Sequence, residues 1–364
     1  MSKTTNVTLA CAAAAVLAAL ASPAAVKAAN TGNVVACVGD SITAGYSLAG
    51  NQAYPVQLNA MLGGSYAVYN YGVSGTTLLK NGNYSYWGTS AYRNSQHSRA
   101  NFVIIQLGTN DSKPGNWNPY GSQFPGDYAS LISSYTSMST HPKVFVCYIP
   151  PYFLPNPWPT DFPDPARIPN LLIPAIQQVV NTTGQPSIDN YTPFVNQPAL
   201  FNDGIHPTVD GANIIALNAY NAITGAGVAV LTGANINDGS GPNGGNTANA
   251  ATAAFDHNSN SYYYAAQATG AWTGIDLGST NTKTVKMICY TPRTGSETSM
   301  VGGVFQGSND LANWSNLAPT ITSAPADTYQ VIPVSNAPVY RYLRYLSAGA
   351  NSYGNVAEVE FIGK

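Results

Sequence analysis

Val34-Val35-Ala36-Cys37-Val38-Gly39-Asp40-Ser41-Ile42 carries five apolar residues into a glycine and then offers a serine. A continuous apolar run of that length reads as a strand buried on both faces, the kind found in parallel sheets. A serine on the turn after such a strand suits a nucleophile, provided that a base takes its proton and donors hold the oxyanion. Working outward, apolar runs recur at residues 66–71, 102–107 and 144–149 and, more weakly, at 186–189. Amphipathic segments predicted as helices separate them, at residues 54–62, 127–137, 168–180 and 208–222. This alternation predicts an α/β domain with five parallel strands and helices on both faces. Its ligands bind along the edge where the strands end.

Three further loops on that edge carry unusual residues. After the second strand comes Asn70-Tyr71-Gly72-Val73-Ser74-Gly75, where a glycine lets a backbone N–H approach a ligand closely. Gly108-Thr109-Asn110-Asp111 follows the third strand and offers a side-chain amide donor. Asp203-Gly204-Ile205-His206-Pro207 follows the fifth and brings an acid and an imidazole within three residues of each other. Gly-rich turns, Asn-Asp pairs and isolated histidines are each common on their own. Their joint order, each at the end of a different predicted strand, points to a nucleophile, oxyanion donors, a base and an orienting acid.

The segments GDSITAG, NYGVSG, GTND and DGIHP resemble the blocks of the SGNH hydrolase family, or GDSL-type esterases, over about residues 33–223. The resemblance implies a flavodoxin-like sheet with Ser41 as nucleophile, its own N–H as one oxyanion donor and Asn110 as another. Gly75 is implied as the remaining donor in preference to Gly72, because the family's donor glycine ends an Asn-x-x-x-x-Gly segment. Asp203 and His206 are implied as acid and base, and no cofactor is called for in catalysis. The run YGVSG, followed by LGTNDSKP and then Trp117, is most similar to the carbohydrate O-acetylesterases of the family. The expected activity is removal of acetyl groups from a saccharide or polysaccharide through an acyl-enzyme. A short-chain lipid or aryl ester hydrolase is the alternative, and a carbohydrate-binding protein with an inactive esterase domain is another. The full set Ser41, Asn110, Asp203 and His206 speaks against the last.

The loops near the predicted site are aromatic: Tyr84, Tyr86, Trp87 and Tyr92 beside Arg93, then Trp117 and Tyr120 beside Lys113, then a proline-dense stretch at residues 150–169 with Tyr152, Phe153, Trp158 and Phe162. Flat rings with polar rims suit sugar faces. The same rings would equally serve to pack long loops. No broad aliphatic stretch suggests a tunnel for a fatty acyl chain.

From Gly225 the texture changes to a Gly/Asn-rich run and then to short strand-like pieces at residues 272–277, 284–290, 304–307, 329–333, 341–346 and 356–362. They predict an all-β jelly-roll sandwich over residues 225–364, after a catalytic domain at 29–224. Ala254-Phe255-Asp256-His257-Asn258, Trp272 to Gly278 and Tyr342-Leu343-Arg344-Tyr345 resemble, more weakly, the discoidin or galactose-binding-like sandwich. That resemblance implies a structural calcium ion with Asp256, Ser261 and Glu360 as ligands, and a role in holding polysaccharide near Ser41, with a stabilising appendage that binds no ligand as the alternative. Trp272 and Trp314 fall inside strand patterns and are expected in the core, whereas Tyr262, Tyr263, Tyr264 and Tyr353 are expected at the surface.

Only 8% of the 364 residues are charged, against about 25% in an average soluble protein. The net charge of −2 offers no electrostatic handle for nucleic acid. Lys3, an alanine-rich apolar stretch and small residues up to Ala28 read as an export signal over residues 1–28, with a secreted or periplasmic destination. Cys11 lies within it, too early for a lipid anchor. No later run is long enough to span a bilayer. The remaining cysteines, Cys37, Cys147 and Cys289, imply no disulfide scaffold.

Overall fold

The structure, a computed structural model, describes residues 32–50, 52–154 and 164–364. The expected export signal with Cys11, as well as Trp158 and Phe162, lies outside the described residues. Strands β1 (Asn33–Gly39), β2 (Tyr66–Gly72), β3 (Phe102–Gln106), β4 (Lys143–Tyr148) and β5 (Ser187–Asp189) pair in parallel in the order β2-β1-β3-β4-β5. This is the flavodoxin-like order, with β1 between β2 and β3 and its C-terminal end at the topological switch point.

Alternate residues of the central strands enter two different cores, which is why their sequences are apolar throughout. Val34, Ala36, Val38, Val103 and Ile105 pack under α5 (Phe124–Thr136) and α6 (Ile173–Thr183), through Tyr128, Leu131, Tyr135, Ile176 and Val179. Val35, Cys37, Ile104, Phe145 and Cys147 face the other way. They meet Tyr54, Leu58 and Met61 of α2 (Tyr54–Leu62) and Ala212, Ile215 and Ala216 of α7 (Val209–Thr224). Burial pushes the Cys37 thiol up to about 12, and Cys37, Cys147 and Cys289 are all free and buried.

The segment at 168–180, expected as one helix, begins instead as a π turn at Ile168–Leu172 before α6. Pro174 has no N–H for an α-helical bond back to Asn170, so the preceding turn widens. Three helices were not legible in the sequence: α1 (Ser41–Ala44), α3 (Ser90–Gln96) and α4 (Pro114–Tyr120). Each is two turns or shorter and polar, so none presents a periodic apolar face.

The remainder is a sandwich of two antiparallel sheets. One runs β11 (Trp314–Asn316), β10 (Val304–Ser308), β14 (Tyr342–Ser347), β8 (Ala271–Asp276), β7 (Ala234–Asn237). The other runs β12 (Gln330–Pro333), β9 (Lys283–Thr291), β15 (Glu358–Gly363), β6 (Ala229–Val230), with β13 (Val339–Tyr340) also on β9. Ile275, Phe305, Leu343 and Tyr345 interleave with Ile288, Tyr290, Val359 and Phe361 in its core. The opposite face of β9 and β15 is apolar as well: Met287, Cys289 and Ile362 join Tyr329 in the same cluster as α2 and α7. Residues 32–364 accordingly form one compact unit.

Candidate active site

Ser41 opens α1 at the end of β1, with Asp40 as the N-cap accepting the Ile42 N–H at 3.0 Å. Asp40 is fully buried, which pushes its carboxyl up to about 6. The Asp203 to Pro207 loop comes back over Ser41. His206 Nε2 stands 2.9 Å from Ser41 Oγ, and His206 Nδ1 stands 2.7 Å from Asp203 Oδ2. The other Asp203 oxygen accepts the backbone N–H groups of Ile205 at 3.0 Å and His206 at 2.8 Å. Burial by itself would raise the Asp203 carboxyl, but those N–H groups and the imidazole outweigh it and hold it below the usual carboxylate range. Phe153 N–H donates to Gly204 O at 2.7 Å and ties the loop to the chain after β4.

The two glycines after β2 are separated by geometry. A Cβ on Gly72 would lie 2.2 Å from the Ala44 backbone nitrogen, so Gly72 serves the close packing of α1 on β2. Gly75 sits in the left-handed region at φ +82 and lines a cavity of about 220 Å³ with Ser41, Asn110, Tyr152 and His206. Asn110 is buried and its amide donates to Thr76 O at 3.1 Å, so the loop holding Gly75 and the one holding Asn110 are bonded together. Asp111 reinforces the joint by accepting the N–H groups of Leu78 at 2.9 Å and Leu79 at 2.7 Å. Ser41, Gly75, Asn110, Asp203 and His206, dispersed over 166 positions of sequence, thus meet at one end of one sheet.

Most of the loop aromatics pack the loops. Tyr86 is fully buried, Trp87 Nε1 donates to Leu78 O at 2.9 Å, and Trp87 and Trp117 lie against Tyr92 and Phe124. Tyr152 lines the cavity, and its hydroxyl donates to Thr109 O. The exposed rims are Tyr84, beside Gly75, and Tyr46. Sequence reading missed Tyr46, whose ring centroid lies 4.5 Å from that of His206. Its signal was its place five residues after Ser41, on the loop that leaves α1.

In the sandwich the structure bonds two of the three residues expected at calcium to each other and engages the third elsewhere. Ser261 Oγ donates to Asp256, at 2.9 and 2.7 Å to its two oxygens. Glu360 accepts from Tyr329 at 2.7 Å and pairs with His257 Nδ1 at 3.2 Å. With Glu360 already facing a phenol and an imidazole, the trio as arranged does not fit a hard cation. Among the described residues no three His, Cys, Asp or Glu side chains are placed to hold a metal ion. Tyr263, expected at the surface, is buried. Trp272 and Trp314, expected in the core, instead flank the Arg344 guanidinium, whose distances to the rings are 5.2 and 3.9 Å. Tyr262 and Tyr264 do form a partly open cluster: Arg293 lies over them at 3.8 and 5.2 Å, and Tyr353 lies 5.3 Å from Tyr264.

The profile of the GDSL-like Lipase/Acylhydrolase family matches residues 37–214. Those residues form a GDSL-like lipase/acylhydrolase domain. A curated relative, an acetylxylan esterase of Xylanibacter ruminicola, is 34% identical over 202 residues, or 50% of this chain and 41% of the relative. The chain therefore spans about two-fifths of that relative's length. Among solved structures, the carbohydrate acetylesterase Est24 from Sinorhizobium meliloti is 18% identical with a TM-score of 0.44, covering 53% of this chain and 99% of its own. CBM62 from Clostridium thermocellum Xyl5A is 37% identical with a TM-score of 0.35, covering 37% of this chain and 97% of its own.

Burial pushes the Asp111 carboxyl up to about 7, against about 3.9 in an unfolded chain. Between those values the folded protein keeps a proton that the unfolded chain has released, so this group's contribution to stability falls as pH rises from about 4 to about 7. Asp111→Asn removes the titration at the cost of one N–H bond. The variant is expected to melt lower than wild type at pH 5 but to lose less on going to pH 7.5. Equal slopes of Tm against pH in the two proteins would refute the burial account.

Proposed function

We propose that the protein is an esterase that removes acetyl groups from a carbohydrate through an acyl-enzyme. The observation that carries this reading is the unbroken line of hydrogen bonds from Asp203 through His206 to Ser41, at the head of a cavity of about 220 Å³. Ser41 Oγ attacks the ester carbonyl while His206 Nε2 takes its proton, and the Asp203 carboxylate holds the Nδ1–H tautomer and stabilises the imidazolium. The N–H groups of Ser41 and Gly75 and the Asn110 amide receive the oxyanion of the tetrahedral intermediate. Its collapse expels the sugar oxygen, which takes the proton back from His206 Nε2 and leaves acetyl on Ser41. Water then repeats the sequence, losing a proton to His206 and releasing acetate.

The small volume of the cavity, lined by Tyr152 and Ile205 among others, favours acetyl over a long acyl chain. The acetylxylan esterase relative supports an acetyl ester borne on a sugar. Export to an extracellular or periplasmic space fits the alanine-rich start of the chain. Among the described residues no helix is long and apolar enough to cross a membrane. We assign the sandwich the task of retaining polysaccharide, through the Arg293, Tyr262, Tyr264 and Tyr353 cluster.

Hydrolysis of acetyl, butyryl and octanoyl nitrophenyl esters tests the chemistry. Wild type is expected to prefer acetyl, and Ser41→Ala to lose activity on all three. Asn110→Ala is expected to lower kcat about 10²–10³-fold, equivalent to roughly 2.7–4 kcal/mol, with little change in KM. Activity that survives Ser41→Ala would overturn the mechanism, and octanoyl preference would overturn the acetyl assignment. For the sandwich, the full-length Ser41→Ala protein is expected to be retained on insoluble polysaccharide and to elute earlier once Arg293→Ala is added. Unchanged retention would remove that cluster from the account.

A further inference from the structure

A second cavity, of about 310 Å³, lies where the sandwich meets the α/β domain. That volume falls in the range of small-ligand sites, about 300–1,000 Å³. Ser47 and Asn202 wall it from one side, and Ser259, Asn260, Thr291 and Thr294 from the other. The two sides are joined nearby by the Ser259 N–H, which donates to Asp210 Oδ2 on α7 at 3.1 Å.

Three observations give this cleft a ligand. First, its lining is hydroxyls and amides with a few aliphatic groups, and Asp327 is its single ionisable side chain. Such a surface suits a neutral polyhydroxylated molecule, and its one acid disfavours an anion. Second, Thr291 is only 5% exposed and its hydroxyl has no hydrogen-bond partner. A buried hydroxyl left unpaired carries an uncompensated desolvation cost at the wall of the cleft. Third, the cleft shares a wall with the site at Ser41. Tyr46 lines the catalytic cavity while its neighbour Ser47 lines the cleft, and Asn202 lines the cleft while its neighbour Asp203 holds His206. Asn202 Nδ2 donates to Ser47 Oγ at 3.1 Å and closes that wall. Tyr46, 55% exposed, stands on the ridge as a flat ring between the two cavities.

We propose that this cleft is a subsite for neutral sugar residues of the same chain whose acetyl group lies at Ser41, with Tyr46 carrying the chain across the ridge. The inference rests on the esterase reading and deepens it: the preferred substrate is a neutral oligosaccharide or polysaccharide rather than an acetylated monosaccharide. Both halves of the molecule build the subsite, so the sandwich contributes directly to the choice of substrate.

The test is the dependence of kcat/KM on chain length, measured by acetate release from acetylated neutral oligosaccharides of one to six residues. Wild type is expected to gain about tenfold or more once the chain is long enough to reach the cleft. Asn260→Trp and Thr294→Trp place an indole into the cleft from exposed loop positions where the fold tolerates it, and each is expected to abolish that gain. Binding gives an independent readout: by calorimetry, the full-length Ser41→Ala protein should bind the deacetylated hexasaccharide about tenfold more tightly than the same protein carrying Asn260→Trp. A wild type indifferent to length, or a gain that survives in both tryptophan variants, would overturn the subsite. An equal gain on an acetylated uronic-acid oligomer would overturn the assignment to neutral sugars. Loss of the esterase reading is distinguishable, because acetate release would then fail to depend on Ser41 at every chain length.

Discussion

The register of β1 against its two parallel neighbours is the constraint on which the rest depends. Gly39 stands opposite both Gly72 of β2 and Gln106 of β3. All three strands therefore end level, and the loops that follow leave from one line. Ser41 comes two residues after that line, Gly75 three residues after it on β2 and Asn110 four residues after it on β3. A slip of one residue would exchange the two faces of β1 and move Ser41 away from the other loops. The register is held by burial on both sides: Val35 and Cys37 would leave one core and Val34, Ala36 and Val38 the other.

The loops are then fastened to each other. Asn110 and Asp111 both bond to the loop after β2, Phe153 bonds to Gly204, and Asn202 bonds to Ser47. Each bond joins segments that arrive from different strands, so the geometry at Ser41 is held by tertiary hydrogen bonds on a rigid sheet. The buried carboxyls of Asp40 and Asp111, pushed up by desolvation, are tolerated because backbone N–H groups face them.

The sandwich is tied into the same construction. A face of β9 and β15 that would otherwise meet water carries Met287, Cys289 and Ile362 and closes the core over α2 and α7. Hydrophobic burial across this seam places Ser259, Asn260, Thr291 and Thr294 beside the loop that follows Ser41. Packing for stability and the opening of a polar cleft are two results of one contact.

The five parallel strands, the long helices and the main strands of the sandwich were legible in the sequence because each is written in local periodicity. Asp203 and His206 were legible as a pair because they lie three residues apart on one loop. What separates Gly72 from Gly75 in space, the approach of Ala44 to one and the cavity beside the other, needs two segments side by side. Short elements such as α3, β6 and β13 were not legible, since α3 has no periodic apolar face and β6 and β13 are two residues each. The aromatic loops were undecided in sequence because a ring that packs and a ring that binds have the same composition; only their burial separates Trp87 from Tyr46. Residue order by itself determined the architecture and the set of residues that could reach Ser41. Tertiary structure alone decided which rings are exposed, how Glu360 is engaged and that a polar cleft opens between the two halves, because each depends on contacts between residues far apart along the chain.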